Sequence, residues 1–117
     1  MITVMGEALI DIIVSPDGDV TAAAIGGAPL NTARTLARLD VPVSFLGGVS
    51  TDAFGRRISR MLASDGVLYA LGKPMDAPTT LAIAELDDGG AASYRFVFDG
   101  TSATLVTPAD AIGAVTA

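Results

Sequence analysis

The sequence predicts an α/β fold built on a parallel strand pair, and three observations carry that prediction. Short apolar runs at 2–5, 8–14, 43–49 and 67–71 alternate with two stretches, 28–39 and 53–65, whose apolar residues recur at helical intervals. Glycine pairs close two of the extended stretches, Gly26-Gly27 before the first helix and Gly47-Gly48 ahead of the second. A strand, a helix and another strand make a βαβ unit, in which the strands run parallel with a right-handed crossover.

Composition narrows what such a fold can do. The chain has 117 residues, room for one modest domain with one core, and half of them are hydrophobic, which excludes a disordered chain. A net charge of -6 argues against a nucleic-acid surface, because phosphate binding needs clustered cations. There is no cysteine and no histidine, so disulfides, thiol nucleophiles, histidine bases and the usual zinc sites are excluded. Carboxylates, hydroxyls, amides and backbone groups are left to carry any chemistry. The opening five residues are too short and too soon interrupted by Glu7 and Asp11 to read as a signal peptide, and no apolar run is long enough to span a bilayer. The expectation is a cytoplasmic protein with neither a nucleic-acid nor a membrane partner.

Taken in order, 2–5 reads as a buried strand and 8–14 as a second extended run, which Asp11 interrupts between Ile10 and Ile12. Two readings of Asp11 stand: an exposed strand position or cap, and a carboxylate facing a ligand. Ser15-Pro16-Asp17-Gly18-Asp19 is a turn signal, and 20–25 is a weak strand, so this segment forms a hairpin off the first strand. Gly26-Gly27-Ala28-Pro29-Leu30-Asn31 then turns sharply into a helix, with Pro29 near its start. Leu30, Ala33, Leu36 and Ala37 form the apolar face, while Arg34 and Arg38 share another. Asn31 lies near the free backbone N–H groups, a geometry that binds a hydroxyl or anion or serves as plain punctuation.

Asp40-Val41-Pro42 breaks the chain before a strand at 43–49. Ser50-Thr51-Asp52 offers caps for a second helix with Phe54, Ile58, Met61 and Leu62 on its apolar stripe, stopped by Asp65-Gly66. Arg56, Arg57 and Arg60 read as a solvated face. A third strand is expected at 67–71, and strands at 79–86 and 93–98 are joined by the hairpin turn Asp87-Asp88-Gly89-Gly90. Tyr94, Phe96 and Phe98 share a face and read first as core or sheet-packing material. Thr107-Pro108-Ala109-Asp110 reads as the cap of a last helix, begun and not finished where the sequence stops at Ala117, which suggests that a natural boundary was cut.

At these residues the chain resembles the PfkB, or ribokinase-like, carbohydrate kinases, and their fructokinase branch in particular. Gly6-Glu7-Ala8-Leu9-Ile10-Asp11 looks like the family's opening strand and sugar-contacting aspartate, and Gly26 to Ala33 like its first signature. Leu36-Ala37-Arg38-Leu39, Phe45-Leu46-Gly47 and Asp52-Ala53-Phe54-Gly55 continue the match. The resemblance implies a doubly wound, ribokinase-like three-layer core with a small β lid, its strands drawn from about 9–25 and part of 79–98. Asp11, Gly27 and Asn31 match the positions that contact sugar hydroxyls, and Ala28, Phe96, Phe98 and Thr101 are further candidates. A carboxylate that accepts two hydroxyl hydrogen bonds, beside an amide that gives and takes them, suits a polyol. Asp99, where relatives acting on acidic keto-sugars carry an arginine, and the lack of a lysine near Ala28 point to fructose. No catalytic, cofactor-binding or metal residue is assigned. Asp40 stands where the family has a glycine, and Ser50-Thr51 where it has Gly-Asp.

The expectation from this resemblance is a unit at 1–117 that is the N-terminal portion only of an ATP-dependent sugar kinase phosphorylating a primary hydroxyl, with a truncated core. ATP and magnesium serve the parent enzyme. The fragment is expected to bind neither well and to be inactive, for want of the catalytic and nucleotide-binding half. A non-catalytic sugar-binding module and a purely structural, self-associating one are the alternatives. A homo-oligomer formed through the lid or the exposed sheet edges is expected in any case.

Overall fold

A computed structural model describes residues 1–116, so Ala117, the last residue of the expected unit, lies outside them. Two sheets and three helices share one core. The first sheet is parallel, with β1 (Ile2–Met5), β4 (Val43–Leu46) and β5 (Leu68–Tyr69) in the order β1-β4-β5. The second is mixed, with β2 (Leu9–Val14), β3 (Val20–Gly26), β6 (Leu81–Leu86) and β7 (Ala92–Val97) in the order β3-β2-β6-β7. Helices α1 (Ala28–Arg38) and α2 (Ala53–Asp65) cover one face of the first sheet. The third helix, α3 (Pro108–Thr116), lies on the other face, where Ala111, Ile112 and Val115 stand beside Thr3, Met5 and Leu46.

The predicted βαβ unit is present in altered form. Its parallel strands are β1 and β4, with the β2–β3 hairpin inserted between β1 and α1. The predicted strand at 43–49 ends at Leu46 and that at 67–71 keeps only two residues, because Gly66 and Gly72, both at positive φ, turn the chain at either side. β1 is an edge strand, so Ile2 and Met5 are exposed rather than buried as expected.

The core is a cluster drawn from both sheets: Ala8 and Ile10 meet Leu30 and Ala33 of α1, Val43 and Phe45 of β4, and Ile58 and Leu62 of α2. Full burial of side chains the size of Phe45, Ile10 or Leu30 contributes roughly 1.5–3 kcal/mol each. The aromatic face of β7 is not part of it. Tyr94 is 62% and Phe96 54% exposed, because β7 is the outer strand of its sheet and no layer covers that side. The rings stack on one another instead, Phe96 on Phe98 at 5.1 Å between centroids.

Polar ties join the layers. Asp52 caps α2 by accepting the Gly55 N–H at 2.8 Å, and it also accepts the N–H and hydroxyl of Thr79 at 2.8 and 2.5 Å. One carboxylate thus fixes both the start of α2 and the approach to β6. Asp65 receives Arg34 at 2.7 Å and Arg38 at 3.8 Å, tying α2 to α1. Arg57 is not the freely solvated residue expected, since its guanidinium donates to the Ala23 carbonyl of β3 at 2.7 Å.

The C-terminus of α1 explains an odd residue. Asp40 sits at φ 61, the left-handed region that favours glycine. Its N–H bonds the Ala37 carbonyl, and the Val41 N–H bonds that of Leu36, which together form a Schellman closure. Asp40→Gly is expected to stabilise the protein by roughly 0.5–1 kcal/mol, the relieved backbone strain less the added freedom of the unfolded chain. An unchanged or lower urea midpoint would refute this.

Asp52 and Asp65 also set a pH limit. Burial pushes the Asp52 carboxyl up, but the bonds from Thr79 and Gly55 outweigh it and hold the pKa below the ordinary 3.8. Arg34, first through its hydrogen bond, does the same for Asp65 against a smaller opposing effect of burial. A carboxyl whose pKa is lowered on folding stabilises the fold above its unfolded pKa, and this stability is lost as pH falls through the folded value. The melting temperature is therefore expected to hold above pH 4 and to drop as pH is lowered below it. Asp52→Asn should flatten that drop and cost about 1–2 kcal/mol at neutral pH; an acid limb identical to that of the parent protein would exclude Asp52 as a contributor.

Candidate functional site

The site is organised by the alternation of β2. Ile10 and Ile12 point into the core cluster, so Asp11 between them points to the opposite face of the second sheet. Across that face the register places Ala24, Asp11, Ala82 and Phe96 in one row. Two strand spacings separate Asp11 from Phe96, about 9–10 Å. Ala82 between them contributes only a methyl group, so the row is a shallow trough with a carboxylate at one position and an aromatic ring two strands away.

Asp11 also reaches the start of α1. A Cβ placed on Gly26 would lie 2.1 Å from its Oδ2, so only glycine lets the carboxylate lie against the backbone there. Gly27 follows at φ 108, and a Cβ on it would come within 2.5 Å of the Glu7 carbonyl oxygen. These two contacts seat the N-terminus of α1 between β2 and the turn after β1. No side chain caps that helix end, and its first turn carries no acidic residue. The first N–H groups of the helix, which have no partner within it, therefore face the same region as Asp11.

The sequence candidates separate in the fold. Asp11, Gly27, Ala28 and Asn31 come together at this corner, with Ala28 and Asn31 exposed on the first turn and a half of α1. Among the described residues the side chains of Asp11, Asn31 and Glu7 make no hydrogen bond or ion pair within the chain, so all three retain their full capacity to bind a ligand. Phe96 shares the Asp11 row, and Phe98 stacks on Phe96. Thr101 is buried at 2% exposure; its hydroxyl bonds the Phe98 carbonyl at 2.5 Å and the Thr80 hydroxyl at 2.7 Å. Its place is inside the loop that closes β7, with no face toward the trough.

Beside this corner, at the carboxyl ends of β1 and β4, lies a cleft of about 430 Å³. Gly6, Glu7, Leu46 and Gly47 form one wall, and Val106 and Pro108 belong to the other. Ligands of open α/β sheets bind in this position. The cleft meets the Asp11 corner through Glu7, whose carbonyl supports Gly27. Sequence reasoning placed Glu7 in a motif without assigning it to the site. It also missed Tyr69, whose hydroxyl donates to the Gly47 carbonyl at 2.8 Å and accepts the Val49 N–H at 3.1 Å. Nothing in the short run around Tyr69 announces that role.

Residues 1–115 match the sequence model of the pfkB family of carbohydrate kinases. The fructokinase of Rhizobium leguminosarum bv. trifolii is 35% identical over 116 residues, covering 94% of this chain and 34% of that protein. The crystal structure of a fructokinase from Xylella fastidiosa superposes with a TM-score of 0.82 at 31% identity, over 93% of this chain and 37% of that one. A structure of fructokinase from the same organism with bound ATP gives 0.81 and 30%, over 93% and 36%. The chain spans about a third of the length of the curated relatives it matches.

Several expectations are corrected by these findings. The expectation of an N-terminal portion only of a family member is corrected: the match to the family runs through residues 1–115. The expectation of a truncated core gives way to two sheets and three helices around one closed cluster, superposing on solved kinases over 93% of the chain. The expectation of an inactive fragment without the catalytic and nucleotide-binding half is corrected as well: the chain superposes over 93% of its length on a fructokinase with bound ATP. The ordered match from residue 1 to residue 115, on a fold shared with solved fructokinases, means that this chain belongs to the pfkB family of carbohydrate kinases.

Proposed function

We propose that the protein is an ATP-dependent kinase of a fructose-like sugar, acting on a primary hydroxyl in the cytoplasm. The observation that carries this reading is the meeting of an unpaired carboxylate, Asp11, with the uncapped start of α1 and the free amide of Asn31. Asp11 accepts hydrogen bonds from two neighbouring hydroxyls of the sugar. Asn31 gives one and takes one, and the backbone N–H groups around Gly27 and Ala28 donate to a hydroxyl oxygen. Phe96, with Phe98 stacked behind it, offers an apolar face to the sugar's C–H bonds. The second sheet forms one wall of the site, with the trough across its face. For location, the absence of cysteine and of any helix among the described residues long and apolar enough to cross a membrane supports the reading.

ATP, when bound, supplies the phosphoryl group, and the ATP-bound relative supports it as the donor. Among the described residues no three acidic side chains converge where they could hold a metal ion. The work of this chain's own residues is to hold the acceptor sugar in one orientation. Such positioning converts binding energy into rate.

The exposed aromatic face supports one partner, a second copy of the chain. Tyr94 and Phe96 lie exposed on β7 and Phe98 directly after it, and the outer edge of β7 has no neighbouring strand. Pairing two such faces would remove both the apolar surface and the open edge from water.

A coupled ADP-release assay with fructose and ATP tests the kinase reading, alongside calorimetric titration with fructose. Fructose-dependent ADP release is expected. Asp11→Ala should lower kcat/KM by roughly a hundredfold, the loss of two hydrogen bonds to a charged acceptor. Turnover without sugar dependence, or an unaffected Asp11→Ala variant, would sink the assignment. In sedimentation velocity the protein should self-associate with rising concentration, and Tyr94→Ser should weaken this; a monomer at every concentration would rule out the paired face.

A further inference from the structure

We infer that Tyr69 is a positioning residue for the sugar site, acting through the Gly47-Gly48 turn. The inference rests on the reading of the Asp11 corner as that site. Tyr69 stands on β5, a strand of two residues, and its hydroxyl bridges the two ends of the turn: it donates to the Gly47 carbonyl at 2.8 Å and accepts the Val49 N–H at 3.1 Å. Gly47 and Val49 are both buried, so neither group has water to turn to. Burial also holds the phenol's pKa above its ordinary 10.0, against the smaller opposing effect of the Val49 N–H, so the hydroxyl remains a donor through neutral pH.

The turn has no slack on its other sides. A Cβ on Gly47 would come within 2.2 Å of the Gly6 carbonyl oxygen and 2.5 Å of the Phe45 ring. The Gly6 N–H in turn donates to the Leu46 carbonyl at 3.1 Å. Gly6 leads into Glu7, and the Glu7 carbonyl is the surface on which Gly27 rests. From the Tyr69 hydroxyl to the start of α1 the contacts are therefore backbone against backbone: Gly47 on Gly6, then Glu7 on Gly27. Close-packed backbone transmits a displacement, because it has no rotamers to absorb one. A phenylalanine would fill the same space at position 69. What the hydroxyl adds is the fixed height of the Gly47-Gly48 turn, and through it the seat of the N–H groups that face Asp11.

The test compares Tyr69→Phe with the parent protein and with Val43→Ala, a core truncation at the opposite end of β4. Two signals are read: fructose affinity by calorimetry, and backbone amide chemical shifts by NMR. In Tyr69→Phe, fructose Kd should rise about three- to tenfold, the effect of misplacing one or two hydrogen bonds. The amides of Gly27 and Ala28, which Tyr69 does not touch, should shift. Val43→Ala should lower the melting temperature yet leave the affinity of the folded protein and those two amides as they are. Unmoved Gly27 and Ala28 amides in folded Tyr69→Phe would overturn the inference, as would an equal loss of affinity in Val43→Ala. Should the parent protein bind no sugar, the proposed function fails, and the two amides still decide the role of Tyr69.

Discussion

The structure depends first on β2 serving two surfaces at once. Its even-numbered members Ile10 and Ile12 belong to the core cluster, and its odd-numbered member Asp11 faces outward over Gly26. Side chains of a strand alternate with a period of two, so a slip of one residue would drive Asp11 into the core and the isoleucines out of it. An unpaired carboxylate in that cluster would cost several kcal/mol. The burial of Ile10 at 0% exposure thus holds the Asp11 carboxylate in register, and no separate device is needed to aim it.

Around that strand, the two sheets are kept in place by polar groups acting at the joints. Asp52 links α2 to the start of β6, Arg57 links α2 to β3, and the Thr80–Thr101 pair closes the loop after β7 against the second sheet. These groups are buried or half-buried, and no buried side-chain polar atom among the described residues lacks a partner. The apolar cluster supplies most of the driving force, while the hydrogen bonds select one relative placement of the two sheets. The glycines of the corner belong to the same logic: at Gly27 and Gly47 the backbones approach so closely that a methyl group would collide. Such contacts leave the corner around Asp11 little freedom to drift.

Most of the element order was legible in the sequence. The helices showed themselves by their apolar stripes and by the caps Asp52 and Gly66, both found as caps in the structure. The hairpins showed themselves through Asp17-Gly18 and Asp87-Asp88-Gly89-Gly90. The arginine pair Arg34 and Arg38, visible as a shared helical face, finds a common partner in Asp65, which lies 31 and 27 positions further along the chain. The exposure of β1 and of the β7 aromatics was not legible. Apolar residues in a strand look the same whether a layer covers them or not, and only the strand order shows which strands lie at an edge.

The sequence by itself determined most of the local conformations and the α/β class, because each is written in the spacing of neighbouring residues, while the grouping of Asp11, Gly27 and Asn31 was expected from the family resemblance. Alternation, helical periodicity and turn chemistry act within a few positions, and a linear reading captures them. Only the tertiary structure decided that Thr101 is sealed inside a loop, that Arg57 ties down β3, that Phe96 lies in the row of Asp11, and that the Tyr69 hydroxyl holds a turn 20 to 22 residues earlier in the chain. Each of these follows from a contact between segments that the sheet order brings together. That order is set by how the whole core packs, so no stretch of sequence read alone contains it.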